Sequence, residues 1–384
     1  MQGAPTPAGL FGRRSEWDHL TRLLGAAAAG SGGILVIEGA PGSGKSRLLE
    51  EAARAAAELD FMMAPGSLSA SYDESDVGEL GVWLQTQLCP ADGTRAMNPL
   101  LIALDDAHLA TSAAVSELTS LQRKMRTGPL AWIITMCTHG DNSELSWLLT
   151  GNVGAVTRIE LSPLSEETVA EMVADLLGAK PEPELLALAA GAAGNPALIS
   201  ALVEGLREER HIEICGSEAR LTSERLPRRL DALVAHRLRT LPDRTSQLIK
   251  VAAMLGRSFV IDEAAELLRE STATLLPAVD EALASGILLC SEERLRFQHD
   301  LVWRVTVQSI PAAARHGLRR DTETARQNQK SHRPQHDGEA TVIPGRVPEQ
   351  MERSHATESA HALSAAGRLV PPLLLARGRR ERPG

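Results

Sequence analysis

Gly39-Ala40-Pro41-Gly42-Ser43-Gly44-Lys45-Ser46 follows directly on the apolar run Ile34-Leu35-Val36-Ile37. The octapeptide satisfies the spacing G-x-x-x-x-G-K-[ST], and the run before it reads as a buried parallel strand. Glycines at these positions let the backbone curl until successive N–H groups point at an anion. The helix that opens near Lys45 adds the positive end of its dipole. Lys45 is expected to pair with the β and γ phosphates of a nucleotide, and Ser46 to offer its hydroxyl to Mg²⁺. Gly39, Ala40, Pro41, Gly42, Ser43, Gly44, Lys45, Ser46 and Arg47 form the expected phosphate cradle. The competing reading, a glycine-rich strand-to-helix turn that holds nothing, does not explain a lysine at this spacing behind a buried strand.

The remainder of the chain is read as what surrounds that loop. A length of 384 residues suffices for two or three domains with proper cores, so neither metal nor disulfide is needed for stability. A net charge of −9 does not describe a protein that coats nucleic acid. Cys89, Cys137, Cys215 and Cys290 are scattered without a C-x-x-C pair and read as reduced thiols, not a zinc site. Met1 to Gly9 has no basic, apolar leader pattern, and no run of about 18 apolar residues follows. A cytoplasmic protein without membrane contact is expected.

Residues 1–9 are rich in Gly, Pro and Ala and read as a flexible N-terminus. Trp17, Leu20, Leu23 and Leu24 mark one face of a short helix, preceded by Phe11-Gly12-Arg13-Arg14. An arginine pair at a helix start is often merely solvated; the functional alternative is a lid over a base. After the loop come a helix over Leu48–Leu59 and a strand at Phe61–Ala64. Leu100-Leu101-Ile102-Ala103-Leu104-Asp105-Asp106 then reads as a buried strand delivering two carboxylates to its C-terminal edge, where open α/β sheets bind ligands. Asp105 is expected to hold Mg²⁺ through its water shell, and Asp106 to orient or deprotonate the attacking water. The pair alone would equally suit a turn capping the next helix. His108 reads as a packing side chain, with no second His or Cys at metal-ligand spacing. Apolar runs at Leu130–Met136 and Val153–Leu161 complete a doubly wound parallel sheet.

From Ser165 the pattern is helical, with no convincing strand until about residue 286. Ile287–Cys290 and Leu295–Phe297 flank Ser291-Glu292-Glu293 as a hairpin, and helices followed by a small hairpin describe a winged-helix layout. Beyond about Asp321 the chain is rich in Arg, His, Glu, Pro and Gln. It has no aromatic residue after Trp303, so a disordered tail is expected.

Taken in order, these pieces resemble the ATPase half of the large ATP-binding LuxR-type transcriptional regulators of actinobacteria, which are signal-transducing P-loop ATPases with numerous domains related to the AAA class. The resemblance is carried by Phe11-Gly12-Arg13-Arg14, Leu104-Asp105-Asp106-Ala107-His108, Leu161-Ser162-Pro163-Leu164-Ser165 and Gly191-Ala192-Ala193-Gly194-Asn195-Pro196. Val251–Phe259 and Phe297-Gln298-His299-Asp300-Leu301-Val302 extend it, so that it covers roughly residues 8 to 320. It implies an AAA-like P-loop ATPase core over 10–162, a helical lid over 163–221, a winged-helix-like domain over 222–320, and the tail over 321–384. It also implies bound ATP with Mg²⁺ and Pro196 touching the base or sugar from the lid. Phe11 and Gly12, in the stretch read as a lid over the adenine base, would be cofactor-binding. His299 would contact nucleotide or an interdomain surface, against the plainer reading of a buried structural histidine.

Two departures bear on mechanism. Relatives carry an arginine after the fourth strand, in a phrase like Trp-Ile-Leu-Ala-Arg-Ser, where this chain has Trp132-Ile133-Ile134-Thr135-Met136-Cys137. Methionine cannot pair with a γ phosphate, so Met136 at this sensor position weakens the case for hydrolysis. The helical-repeat sensor and terminal helix-turn-helix of the family are replaced by the unlike tail, as in a truncated product. The expected function is an ATP-binding, slowly hydrolysing regulatory switch, with Lys45 and Asp106 catalytic. The alternative is a non-hydrolysing module that holds nucleotide and acts by association with protein partners or copies of itself. A small-molecule kinase suits the acidic pair and helical extension less well, and a GTPase lacks Asn-Lys-x-Asp. Specific DNA binding is not expected of a chain this acidic, with few basic residues over Ala282–Gln308.

Overall fold

The computed structural model describes residues 6–65, 74–88, 98–124, 128–138 and 156–331. Its centre is a five-stranded, wholly parallel sheet of β1 (Gly33–Gly39), β2 (Met62–Met63), β3 (Leu100–Leu104), β4 (Leu130–Met136) and β5 (Val156–Leu161), in the order β2-β3-β4-β1-β5. Every residue of β3 and β4 is buried, because helices cover both faces and side chains alternate between them. Ile34, Val36, Ile102, Leu104, Trp132, Ile134 and Met136 point to one face, against α3 (Glu74–Leu88) and α4 (Ser112–Lys124). Leu35, Ile37, Leu101, Ala103, Ala131 and Ile133 point to the other. There Trp17, Leu20 and Leu24 of α1 (Arg14–Ala28) and Leu48, Leu49 and Ala52 of α2 (Lys45–Glu58) cover them.

The strand order sets the geometry of the edge. β4 lies between β1, which leads into the glycine loop, and β3, which ends at the acidic pair, with Glu38 opposite Met136 and Leu104 opposite Ile134. Whatever follows β4 is thereby held between loop and carboxylates, about one strand spacing, roughly 4.8 Å, from each.

The helical half begins with α5 (Glu166–Leu177), capped by the Ser165 hydroxyl, which accepts from Thr168 N, and closed by Gly178 at φ 66°. After it come α6 (Pro183–Ala190) and α7 (Pro196–Glu208), the latter with Pro196 in its first turn and Asn195 as N-cap. Strands do occur here, contrary to expectation: β6 (Lys180–Pro181), β7 (Ile212–Cys215) and β8 (Glu218–Leu221) form a small sheet. Only Ala219 of the β7–β8 hairpin is fully buried, so the pair has no apolar face to announce it.

Next come α8 (Arg228–Arg239), α9 (Asp243–Leu255), β9 (Ser258–Phe259), α10 (Ile261–Leu268) and α11 (Thr272–Ala284). The expected hairpin is present as β10 (Leu288–Ser291) and β11 (Arg294–Phe297), and β9 joins it, with Phe259 opposite Leu295. One core runs from Leu164 through Val305, with no break at residue 221. α12 (Asp300–Ser309) and α13 (Ala312–Ser331) finish the described chain. Helix α13 passes residue 321, where a disordered tail was expected to begin. It is composed largely of good helix formers and packs against α9 and α10, and polarity alone does not forbid a helix with such support. Residues 1–5, Cys89 and the rest of the expected tail, 332–384, lie outside the described residues. No described helix is long and apolar enough to cross a membrane.

Candidate nucleotide-binding site

Donors meet every carbonyl of the glycine loop from Gly39 to Ser43. Lys45 Nζ reaches Gly39 O at 3.1 Å and Ala40 O at 3.3 Å. Pro41 O accepts from Asn195 Nδ2 at 3.0 Å and from the Arg237 guanidinium at 2.8 Å. Gly42 O accepts from the backbone N–H of Ala197 at 3.2 Å, and Ser43 O from Arg13 at 3.3 Å. With these carbonyls occupied by donors, N–H groups at the start of α2 remain for an anion, while the Ser43 N–H turns back on Ala40 O at 3.1 Å. Gly42 makes the close approach possible: at φ 81° it sits where a Cβ would come within 2.8 Å of Asn195 Oδ1 and 2.9 Å of Ala197 Cβ.

Lys45 opens α2 and is buried. Its ammonium lies 3.9 Å from Asp106 Oδ1 and 3.8 Å from Cys137 Sγ. Asp105 accepts a 2.6 Å hydrogen bond from Thr135 Oγ1, and the same hydroxyl accepts from the N–H of Asp106 at 2.8 Å. Fully buried Thr135 thus fixes both halves of the acidic pair from the neighbouring strand. Asp106 adopts the left-handed conformation, φ 45° and ψ 45°, which lifts its carboxylate off the strand axis toward Lys45.

Phe11, Ser46, Arg47, Asp106 and Pro196 line one cleft of about 800 Å³ together with Gly42–Lys45. Gly12 lies beside it, packed on Thr168 of α5. The cleft continues from the loop to an apolar end formed by Leu10, Phe11, Met172 and Leu176. Asp105 sits one residue behind, on Thr135. The expected site residues are therefore gathered at one sheet edge.

Some readings are corrected. Arg13 is not solvated: it is buried, donates to Ser162 O at 2.8 Å, and pairs with Glu16 at 3.2 Å. Met136 does not face the loop, since alternation buries it with Leu104 and Ile134. The residue that reaches Lys45 is Cys137, the first after β4. His108 does acquire metal-binding neighbours, because folding brings it to Asp106 and Cys137.

Arg237 and Asn195 were missed as loop contacts. Arg237 belongs to the arginine-rich helix α8 and looks like any solvated residue there, yet burial lowers its pKa, opposed by the nearby Cys137. In the sequence Asn195 is simply the residue before Pro196 at a helix start, with nothing local that points to the loop. His299 lies behind the loop, close to Ala40, Ser43 and Asn195, and is 2 % exposed. Burial, and secondly the Arg237 charge, push its pKa down to about 4, so it is neutral at pH 7. Burial also raises the Cys137 thiol, against the pull of Lys45.

Residues 9–87 match the family profile of the AAA ATPase domain. The chain carries an AAA-type P-loop ATPase domain. In three dimensions it is similar to a Walker-type ATPase of Pyrococcus abyssi at 13% identity and a TM-score of 0.53, over 80% of this chain and 98% of that one. That likeness shows the P-loop ATPase fold. Cdc6p of Pyrobaculum aerophilum matches at 13% identity and a TM-score of 0.39, over 85% of this chain and 97% of its own. A signal-transduction ATPase with numerous domains, bearing a tetratricopeptide-repeat sensor, from Pyrococcus horikoshii matches at 16% identity and a TM-score of 0.34, over 86% of this chain and 47% of that one. No curated protein matches the sequence.

Proposed function

We propose that the protein is an ATP-binding, slowly hydrolysing regulatory switch of the kind found in the N-terminal part of LuxR-type regulators. Helices α5–α7 would serve as its lid, and α8–α12 with the β10–β11 hairpin as a winged-helix-like unit. One observation carries the coupling: Asn195, Ala197 and Arg237, all from the helical half, bond directly to the carbonyls of Pro41 and Gly42. A change at the phosphates shifts those carbonyls, and the helices that hold them must respond.

The residues suit ATP with Mg²⁺. The loop N–H groups and Lys45 fit a triphosphate, and the apolar end at Phe11 and Met172 fits a base, with Pro196 beside it. Ser46 and Asp105 offer the hard oxygen donors that Mg²⁺ takes, and Mg²⁺ bound there neutralises charge on the phosphoryl oxygens. Asp106 would orient the attacking water, and Arg237 would bring a cation to the same cleft, which both residues line.

A second reading, a module that holds nucleotide without turnover, is favoured by Met136 standing in the sequence where relatives carry an arginine, buried away from the loop. Phosphate release on incubation with ATP separates the two. Lys45→Ala tests what both share: it removes the phosphate-facing charge and should abolish ATP and ADP binding in calorimetry while leaving the circular dichroism unchanged. Equal affinities in wild type and variant would sink both readings.

A further inference from the structure

The ends of β3 and β4 gather a second set of donors beside the one that suits Mg²⁺. Asp106 and His108 project from the turn after β3, and Cys137 from the first residue after β4. Strand pairing sets Leu104 beside Ile134, so two to four residues further on these side chains meet. One carboxylate oxygen, one imidazole nitrogen and one thiol sulfur all lie within 4.8 Å of one another. His108 Nδ1 is 3.9 Å from Asp106 Oδ1, buried, and without a hydrogen-bond partner. Burial lowers the pKa of His108, which leaves its imidazole neutral and able to act as a ligand at pH 7.

We propose that Asp106, His108 and Cys137 form a binding site for a thiophilic divalent transition metal, Zn²⁺ above all, whose occupation takes Asp106 away from water and halts nucleotide hydrolysis. Three protein ligands of sulfur, nitrogen and oxygen with a fourth position open match the coordination Zn²⁺ accepts. Mg²⁺ demands oxygen donors in octahedral array, so the thiol and imidazole exclude it. The thiol proton is released to solvent as the metal binds, which makes binding stronger as pH rises. Lys45, 3.8 Å from the sulfur and 3.9 Å from the carboxylate, opposes a second cation. Its removal therefore tightens the site, the reverse of what it does for nucleotide. The inhibitory part rests on the hydrolytic reading of Asp106; metal binding itself does not.

The test titrates the full-length protein, free of nucleotide, with Co²⁺ and follows the thiolate-to-cobalt charge-transfer absorption. Zn²⁺ then displaces the cobalt. One equivalent of absorbing cobalt is expected, absent in Cys137→Ser and retained in Cys215→Ser and Cys290→Ser. His108→Gln should weaken Zn²⁺ binding at least about tenfold, and Lys45→Met should strengthen it. Magnesium in large excess should not displace the metal. No charge-transfer band in the wild type, a band that survives Cys137→Ser, or unchanged Zn²⁺ affinity in His108→Gln would each overturn the site. Phosphate release is then measured with Zn²⁺ added: arrest in wild type but not in Cys137→Ser supports the inhibitory role. Bound zinc with undiminished turnover refutes that role, and a wild type that never hydrolyses ATP fails the proposed function and not the metal site.

Discussion

In the proposed function, Asp106 is the residue on which hydrolysis would turn. Its left-handed backbone, φ 45°, is one that Asp and Asn both tolerate, so Asp106→Asn alters charge with little strain. Turnover is expected to be slow in the wild type, below about 1 per second, the low end of ordinary enzymes. The asparagine variant should lower it by roughly 10² or more, the usual scale for loss of a general base, with ATP affinity nearly unchanged. Steady-state phosphate release and calorimetry on the two proteins decide the matter. A variant as active as the wild type would remove Asp106 from the mechanism. His299 offers a second test, set by pH. Its pKa falls from 6.5 in the unfolded chain to about 4 in the folded one. Between those values the unfolded chain binds the proton and the native state refuses it. The stability at stake is thus fully present above pH 6.5 and lost as the pH falls toward 4. The loss is on the order of 2 kcal/mol by pH 5 and about 3 by pH 4. Urea unfolding at pH 7 and pH 5 should show that slope in the wild type and much less of it in His299→Gln.

At the scale of elements, the start of α7 does two jobs. The Asn195 side chain caps the helix by accepting from Leu198 N at 3.2 Å and holds the loop by donating to Pro41 O at 3.0 Å. Asn195→Ala should cost roughly 1–2 kcal/mol of stability and weaken nucleotide binding. Asn195→Ser keeps a capping hydroxyl but cannot reach Pro41, so it should recover most of the stability and little of the affinity. If thermal melts and ATP titrations move together in both variants, the two jobs are not separable. The elements also differ in how far they could be read beforehand. β1, β3 and β4 were legible because each carries an apolar run buried on both faces. The loop was legible from its glycine and lysine spacing. β6 to β8 were hidden because their side chains are mostly exposed, and α13 because its support comes from α9 and α10 and not from an apolar face of its own. Within the site, Lys45, Ser46 and the acidic pair carry local signatures. Arg237 reaches Pro41 across 196 positions of sequence, and nothing near it distinguishes it from the other arginines of α8. Cys137 emerges only once the register of β4 against β1 and β3 is known.

Considered as a whole molecule, the site draws its parts from Phe11 to Arg237, and the helical half contributes contacts that the sheet cannot replace. The loop sequence is complete once Ser46 has been synthesised, yet two of its five bonded carbonyls wait for partners at Asn195, Ala197 and Arg237. On the ribosome, a nascent chain that ends before α8 carries the whole phosphate signature without all the anchors that shape it. Nucleotide is therefore a poor template for early folding of this chain. A ligand stabilises only the state it binds, and here that state is reached late in synthesis. On the proposed function, capture of ATP would then report that the helical half has been made and has docked.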